Sequence, residues 1–167
     1  VNGDQNGSAI TTDDHRFCWI EFKNHDLERS KRVSTLQNAY AAGTINTSRF
    51  VVASATHPNA AIQASDGTKL PLGISTNASR RHPNPDYTQT QCDEAALVGE
   101  VIGIHPPGRV GVDLLCNAAW NPGDLLMSDA NGKGIVATTG KYYGARAQTA
   151  GTVGALCPVD VVCGLAP

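Results

Sequence analysis

Asn131-Gly132-Lys133-Gly134 sets glycines beside a lysine, as a phosphate-binding loop does. That chemistry needs G-x-x-x-x-G-K-[ST] between a strand and a helix, so that backbone N–H groups cradle the phosphates and the lysine reaches them. Neither the spacing nor a following helical pattern is present, so the stretch reads as a hairpin turn. The histidines, His15, His25, His57, His82 and His105, are scattered, and His57, His82 and His105 each stand directly before a proline. His15-Arg16-Phe17-Cys18 comes closest to a ligand pair, but no second pair lies at zinc-site spacing. No serine stands in a G-x-S-x-G elbow. Glu100 and Asp113 fall on adjacent predicted strands, where paired carboxylates would suit glycoside hydrolysis; the preferred reading is one solvent-facing or interface acid per strand. These residues predict no catalytic group, metal or cofactor.

Five cysteines, Cys18, Cys92, Cys116, Cys157 and Cys163, form no CxxC pair, and an odd number makes a poor disulfide framework. They read as reduced, mostly buried thiols made in a cytosol. Arg80-Arg81 lies in a polar stretch, Ser79 to Gln89, that contains Pro83, Pro85 and Tyr87. It predicts a long exposed loop near 79–91, able to meet an anion or an acidic partner surface.

The elements that would position these residues are strands. From about residue 44, short apolar runs alternate with Gly, Asn, Asp and Pro turns, which predicts strands near Arg49–Ala55, Ala61–Ala64, Leu70–Thr76, Ala96–Ile104, Arg109–Cys116, Asp124–Ser128, Gly134–Thr138, Tyr142–Gln148 and Val159–Cys163. Asp66-Gly67 and Asn131-Gly132 suit tight hairpins, and Pro106-Pro107-Gly108 predicts a hairpin between the two runs it separates. Val110, Val112, Leu114 and Cys116 alternate with Gly111, Asp113 and Leu115, as in a half-buried strand. Many short strands without long helices predict an all-β fold: a small antiparallel β-barrel or a compact sandwich. Ahead of it, residues 1–42 form an arm and extension, with a strand near 17–23 (Phe17 to Lys23) and a short helix near 26–42 that Asp26 would cap. The β-domain then spans 43–167. Ala95–Ile104 and Val159–Leu165 are apolar on both alternating faces, which predicts cover from a subunit interface or an overlying arm.

Composition narrows the function. The chain has 167 residues, 13 Lys+Arg against 15 Asp+Glu, and a net charge of -2. That balance disfavours direct nucleic-acid binding, which needs a basic excess. Charged residues are 17% of the chain, below the roughly 25% of an average soluble domain. One Met and 5% aromatics disfavour a Met-rich groove or a base-stacking platform. No run approaches the roughly 18 apolar residues of a membrane span, and the polar start lacks a secretion-signal pattern.

Trp120-Asn121-Pro122-Gly123-Asp124-Leu125-Leu126-Met127-Ser128-Asp129-Ala130-Asn131-Gly132-Lys133 resembles the "x-x-G-D-L-L-x-S-D-A-x-G-K" stretch of the head decoration, or capsid cement, proteins of tailed bacteriophages. Leu72-Gly73-Ile74-Ser75 resembles that family's "P-L-G-V" strand. Gly99-Glu100-Val101 followed by Gly108-Arg109-Val110-Gly111-Val112 resembles its central hairpin. Tyr143-Gly144-Ala145-Arg146-Ala147 and Val159-Asp160-Val161-Val162 resemble its last strands. The order agrees over roughly residues 43 to 165. The first 40 or so residues have no counterpart, the 79–91 loop is longer, and Gln148 replaces the usual acid.

The resemblance implies a non-enzymatic structural virion protein: a small β-tulip-like β-barrel, often a homotrimer, on the outer surface of the capsid at threefold or quasi-threefold positions. It would clamp neighbouring copies of the major capsid protein against the pressure of packed DNA, after synthesis in the host cytoplasm. Its partner-binding residues would be the rare aromatics Phe17, Trp19 and Phe22, together with Arg80, Arg81 and Tyr87, since interface anchors favour Trp, Tyr and Arg. The alternative is a β-rich tail or surface module that binds a host receptor or glycan. A small trimeric β enzyme such as a nucleotide pyrophosphatase would need a metal-binding acid cluster that the sequence does not show.

Overall fold

A computed structural model describes residues 37–76 and 94–167. Every regular element among them is a strand: β1 (Gln37–Ala41), β2 (Ile45–Asn46), β3 (Phe50–Ala53), β4 (Ala60–Gln63), β5 (Pro71–Ser75), β6 (Glu94–Ala96), β7 (Val101–His105), β8 (Val112–Leu115), β9 (Leu125–Ser128), β10 (Gly134–Val136), β11 (Tyr142–Tyr143), β12 (Ala145–Ala147), β13 (Leu156–Asp160) and β14 (Gly164–Leu165). The all-β expectation holds.

Five strands close into a barrel in the order β1-β4-β3-β5-β7, with β7 returning to β1. All its pairings are antiparallel except β1 with β4. Closure removes the free edges that would otherwise pair with another chain. A second sheet runs β10-β9-β12-β13-β8. Its outer strands meet where Cys116, just past β8, bridges Gly134 of β10, and Asn117 N–H donates to Gly134 O at 2.9 Å. The second sheet therefore also curls into a ring, pinned at one point. β11 pairs with β14, and β2 with β6.

Each ring has its own core. Ala41, Ile45, Val51, Ala61, Ala95, Ala96, Ile102 and Ile104 fill one. The other gathers Val112, Leu114, Cys116, Trp120, Leu126, Val159 and Val161, with Phe50, Val52 and Ile74 from the first barrel. Alternation along β3 explains this sharing: Val51 points into its own barrel, while Phe50 and Val52 point into the neighbouring core. Burying a residue of Phe50's size contributes about 2–3 kcal/mol.

Three expectations are corrected. The helix near 26–42 gives way to strand β1 over Gln37–Ala41, which belongs to the barrel; the rest of that stretch lies outside the described residues. Leu36 and Tyr40 share a helical spacing, but pairing with β7 and β4 satisfies the backbone of β1, and Tyr40 is left 59% exposed. Pro106-Pro107-Gly108 makes no hairpin. β7 pairs with β1 and β5, and β8 with β13, so the segment carries the chain from one sheet to the other. The two prolines have no N–H to offer a ladder, and Gly108 N–H goes instead to Val161 O at 2.8 Å. Asp66-Gly67 links β4 to β5 across β3, with the Asp66 carboxylate accepting from Thr68 N at 2.9 Å and Thr68 Oγ1 at 2.6 Å. Within the single chain, Ile102 and Ile104 of β7 are buried, Val101 is exposed, and Gly103 and His105 are half-buried, which leaves the second face open to the cover expected from a subunit interface or an overlying arm. Within the Val159–Leu165 run, Val159 and Val161 are buried and Leu165 is exposed.

Asn131-Gly132 is a hairpin turn, joining β9 to β10, and Gly132 has φ +74°. The alternation over Val112–Cys116 also holds, since Val112, Leu114 and Cys116 are buried; Val110 is exposed.

Candidate interaction surface

The motif of residues 120–133 encodes turns rather than reactive groups. Asp124 Oδ2 accepts from Asn121 N at 2.8 Å. Asp129 Oδ1 accepts from Asn131 N and Lys133 N, both at 2.8 Å, so one carboxylate organises the whole hairpin tip. The tip then docks on the first barrel. Gly132 O accepts from Phe50 N at 2.8 Å, and Gln63 Nε2 donates to Asn131 O at 2.9 Å. Lys133 therefore belongs to a docked turn, and the hairpin reading replaces the phosphate loop.

Glu100 and Asp113 are not brought together by strand pairing. Glu100 sits in the turn before β7, where its Oε2 accepts from Leu97 N at 2.9 Å, and Asp113 lies in the other sheet opposite Pro158. Among the described residues no group of three or more His, Cys, Asp or Glu could hold a metal ion. The described thiols, Cys116, Cys157 and Cys163, are free. Burial pushes Cys163 up to about 11. His105 is held below the usual imidazole range, first by burial and then by the charge of Arg109.

What the barrel does present is an apolar surface. Tyr40 of β1 and Val101 of β7 face each other across the ladder, 59% and 53% exposed. Beside them the Leu97–Glu100 turn is tied to the end of β1 by Gly99 N–H donating to Ala41 O at 2.7 Å, and it carries Val98, 69% exposed. Three large apolar side chains are thus exposed on the β1–β7 ladder and the turn beside it. The sequence reading places Tyr40 in a helix and so does not bring it to Val101, although it does expect the run that holds Val101 to need outside cover. The signal was available in the period-2 alternation of Val101-Ile102-Gly103-Ile104-His105.

Phe17, Trp19, Phe22, Arg80, Arg81 and Tyr87 all lie outside the described residues. The described chain does show where the two stretches containing them join the barrel. Gln37 and Ser75 both pair with Ile104, from opposite sides of β7, and Thr76 N–H donates to Gly103 O at 3.0 Å. The two junctions flank one residue of β7.

No family model matches this sequence, and no curated protein matches it. Among solved structures, the chain is similar to the N base of the head fiber gp8.5 of bacteriophage phi29. The TM-score is 0.53 at 12% identity, over 75% of this chain and 92% of that one. The likeness is one of fold, and it takes in almost the whole of the phi29 base.

Proposed function

We propose that this is a structural protein of a phage head: a decoration, or cement, protein that binds the outer surface of the shell as a homotrimer at threefold or quasi-threefold positions. There it clamps neighbouring major capsid subunits. The observation that carries the reading is the fold shared with the base of a phage head fiber over 92% of that chain. The order of turn and strand motifs that resembles the decoration family supports it, as does a motif whose carboxylates brace turns. The role is structural rather than enzymatic.

In this reading the barrel is a stiff platform. Phe17, Trp19 and Phe22, which precede β1 in the sequence, and Arg80, Arg81 and Tyr87, which follow β5, are the contact residues, and the described chain ends of their segments, Gln37 and Ser75, pair with the same residue of β7. Each contact need contribute only several kcal/mol net, since a standard interface of about 1,600 Å² does so after association costs. An icosahedral shell then repeats it many times.

A density map of intact particles tests the proposal. The expected result is symmetry-related copies on the outer shell, with bands in purified heads matching hundreds of chains. Deleting residues 1–24 is expected to lower occupancy and the heat resistance of the head. Absence from the outside of intact heads overturns the reading. A second reading, a surface module that presents a receptor- or glycan-binding element, is favoured by the neighbour's being a fiber base. It predicts few copies per particle and glycan binding that depends on the Tyr87 loop.

A further inference from the structure

Cys116 and Cys157 bring their sulfurs to 3.2 Å inside the larger core, with Cys116 S–H donating to Cys157 Sγ. Both are free thiols, and they lie 41 residues apart in the chain. In a regular antiparallel ladder they would be diagonal neighbours, since Leu114 faces Cys157 and Leu115 faces Leu156. The backbone next to Cys116 breaks that regularity. Cys116 N–H donates to Ala155 O at 2.9 Å, while Cys116 O accepts from Gly154 N at 3.0 Å, so two residues oppose one, as in a β-bulge. Gly154 supplies the positive φ, +82°, that such a step needs. Cys157 lies on the outer side of the pair, its S–H directed at Ala150 O at 3.8 Å, beneath a segment whose Thr149, Ala150, Thr152 and Val153 are exposed.

We propose that Cys116 and Cys157 are a latent cross-link site, reduced when the protein is made and joined as a disulfide when it meets a peroxide. The inference is independent of the function proposed above. The sulfurs need to close from 3.2 Å to about 2.05 Å. The Cys157 sulfur attacks the peroxide, the O–O bond breaks, and Cys157 becomes a sulfenic acid with release of one water. The Cys116 sulfur then attacks the Cys157 sulfur: the S–S bond forms, the S–O bond breaks, and the departing hydroxide takes the Cys116 proton as a second water. Two thiols lose two electrons and two protons, and the peroxide is reduced to water. Burial, and next the neighbouring thiol, raise the Cys116 thiol well above the ordinary range, so the reaction is slow at neutral pH and faster in mild alkali.

The test is hydrogen peroxide on the folded full-length protein, followed by non-reducing peptide mapping. The expected product is a peptide pair joined through Cys116 and Cys157, lighter by two hydrogens. The melting temperature should rise by roughly 10 °C and return on reduction. A C18S/C92S/C163S variant should behave likewise, and adding C116S or C157S should abolish both changes. Wild-type protein that keeps both thiols, or that accumulates sulfinic acid at Cys157 without the joined peptide, overturns the proposal.

Discussion

The indole of Trp120 occupies the space that a side chain on Gly151 would need. The two residues form a cross-strand bridge, Gly151 N–H donates to Trp120 O at 3.0 Å, and the indole Nε1–H reaches Thr149 O at 3.2 Å. A methyl group on Gly134 would stand 2.9 Å from Trp120 Cζ3, at the benzo edge of the same ring. The buried ring thus lies against the backbone of two glycines. Gly151→Ala is therefore expected to cost about 3 kcal/mol, the range of overpacking in a closed core. Gly43→Ala, with nothing within 4 Å of the added methyl, should be neutral or slightly stabilising. Urea unfolding followed by tryptophan emission measures both.

Asp129 holds the β9–β10 tip through two charge-assisted bonds to backbone N–H groups. Asp129→Ala should lower stability by about 1–3 kcal/mol. The amides of Asn131 and Lys133 should exchange their hydrogens faster, while those of β13 stay protected. Asp129→Asn, which keeps an acceptor oxygen, should lose less. Equal loss in both variants would mean that the carboxylate's charge dominates.

His105 Nδ1 is buried without a hydrogen-bond partner. Burial depresses the folded-state pKa, with Arg109 adding to the effect and Asp113 opposing it. The unfolded chain then binds a proton that the folded chain refuses. Stability is full above the ordinary histidine pKa and declines as pH falls below it. Melting temperature against pH should show this acid-side decline in the wild type and a smaller one in His105→Gln. Identical profiles would remove His105 as the cause.

Tyr40 and Val101 are exposed, so Tyr40→Ser with Val101→Thr should change stability little, within about 1 kcal/mol. If this face seats on the shell, binding to undecorated heads should weaken at least tenfold, as for loss of an interface anchor. Unchanged occupancy in a particle-binding assay would assign the face another role.

The sequence displays local chemistry well and long-range pairing poorly. Asn131-Gly132 is legible because the turn's own geometry demands a positive φ. Val112 to Cys116 is legible because alternation reports burial. β1 is not, because what makes it a strand is a barrel closed by β7, far along the chain. β13 was placed too late because Pro158 sits inside it. Pro158 O accepts from Gln148 N, just past the end of β12, so the proline nitrogen faces the end of β12 rather than β8, and the β8–β13 ladder does not need its N–H. Burial on both faces within the chain is found in β3, because its covering surface is the second core of the same chain, a long-range relation that its sequence does not display. The contact residues inferred from Phe17 to Tyr87 rest on sequence alone.

The closure of β1 onto β7 governs how the molecule comes into being. The leading strand has no antiparallel partner until Ile102 and Ile104 have left the ribosome, and β8 must await β13 in the same way. Such non-local wiring makes for slow folding, on the order of milliseconds to seconds. Interactions formed late on that route act on the rate of unfolding more than on the rate of folding.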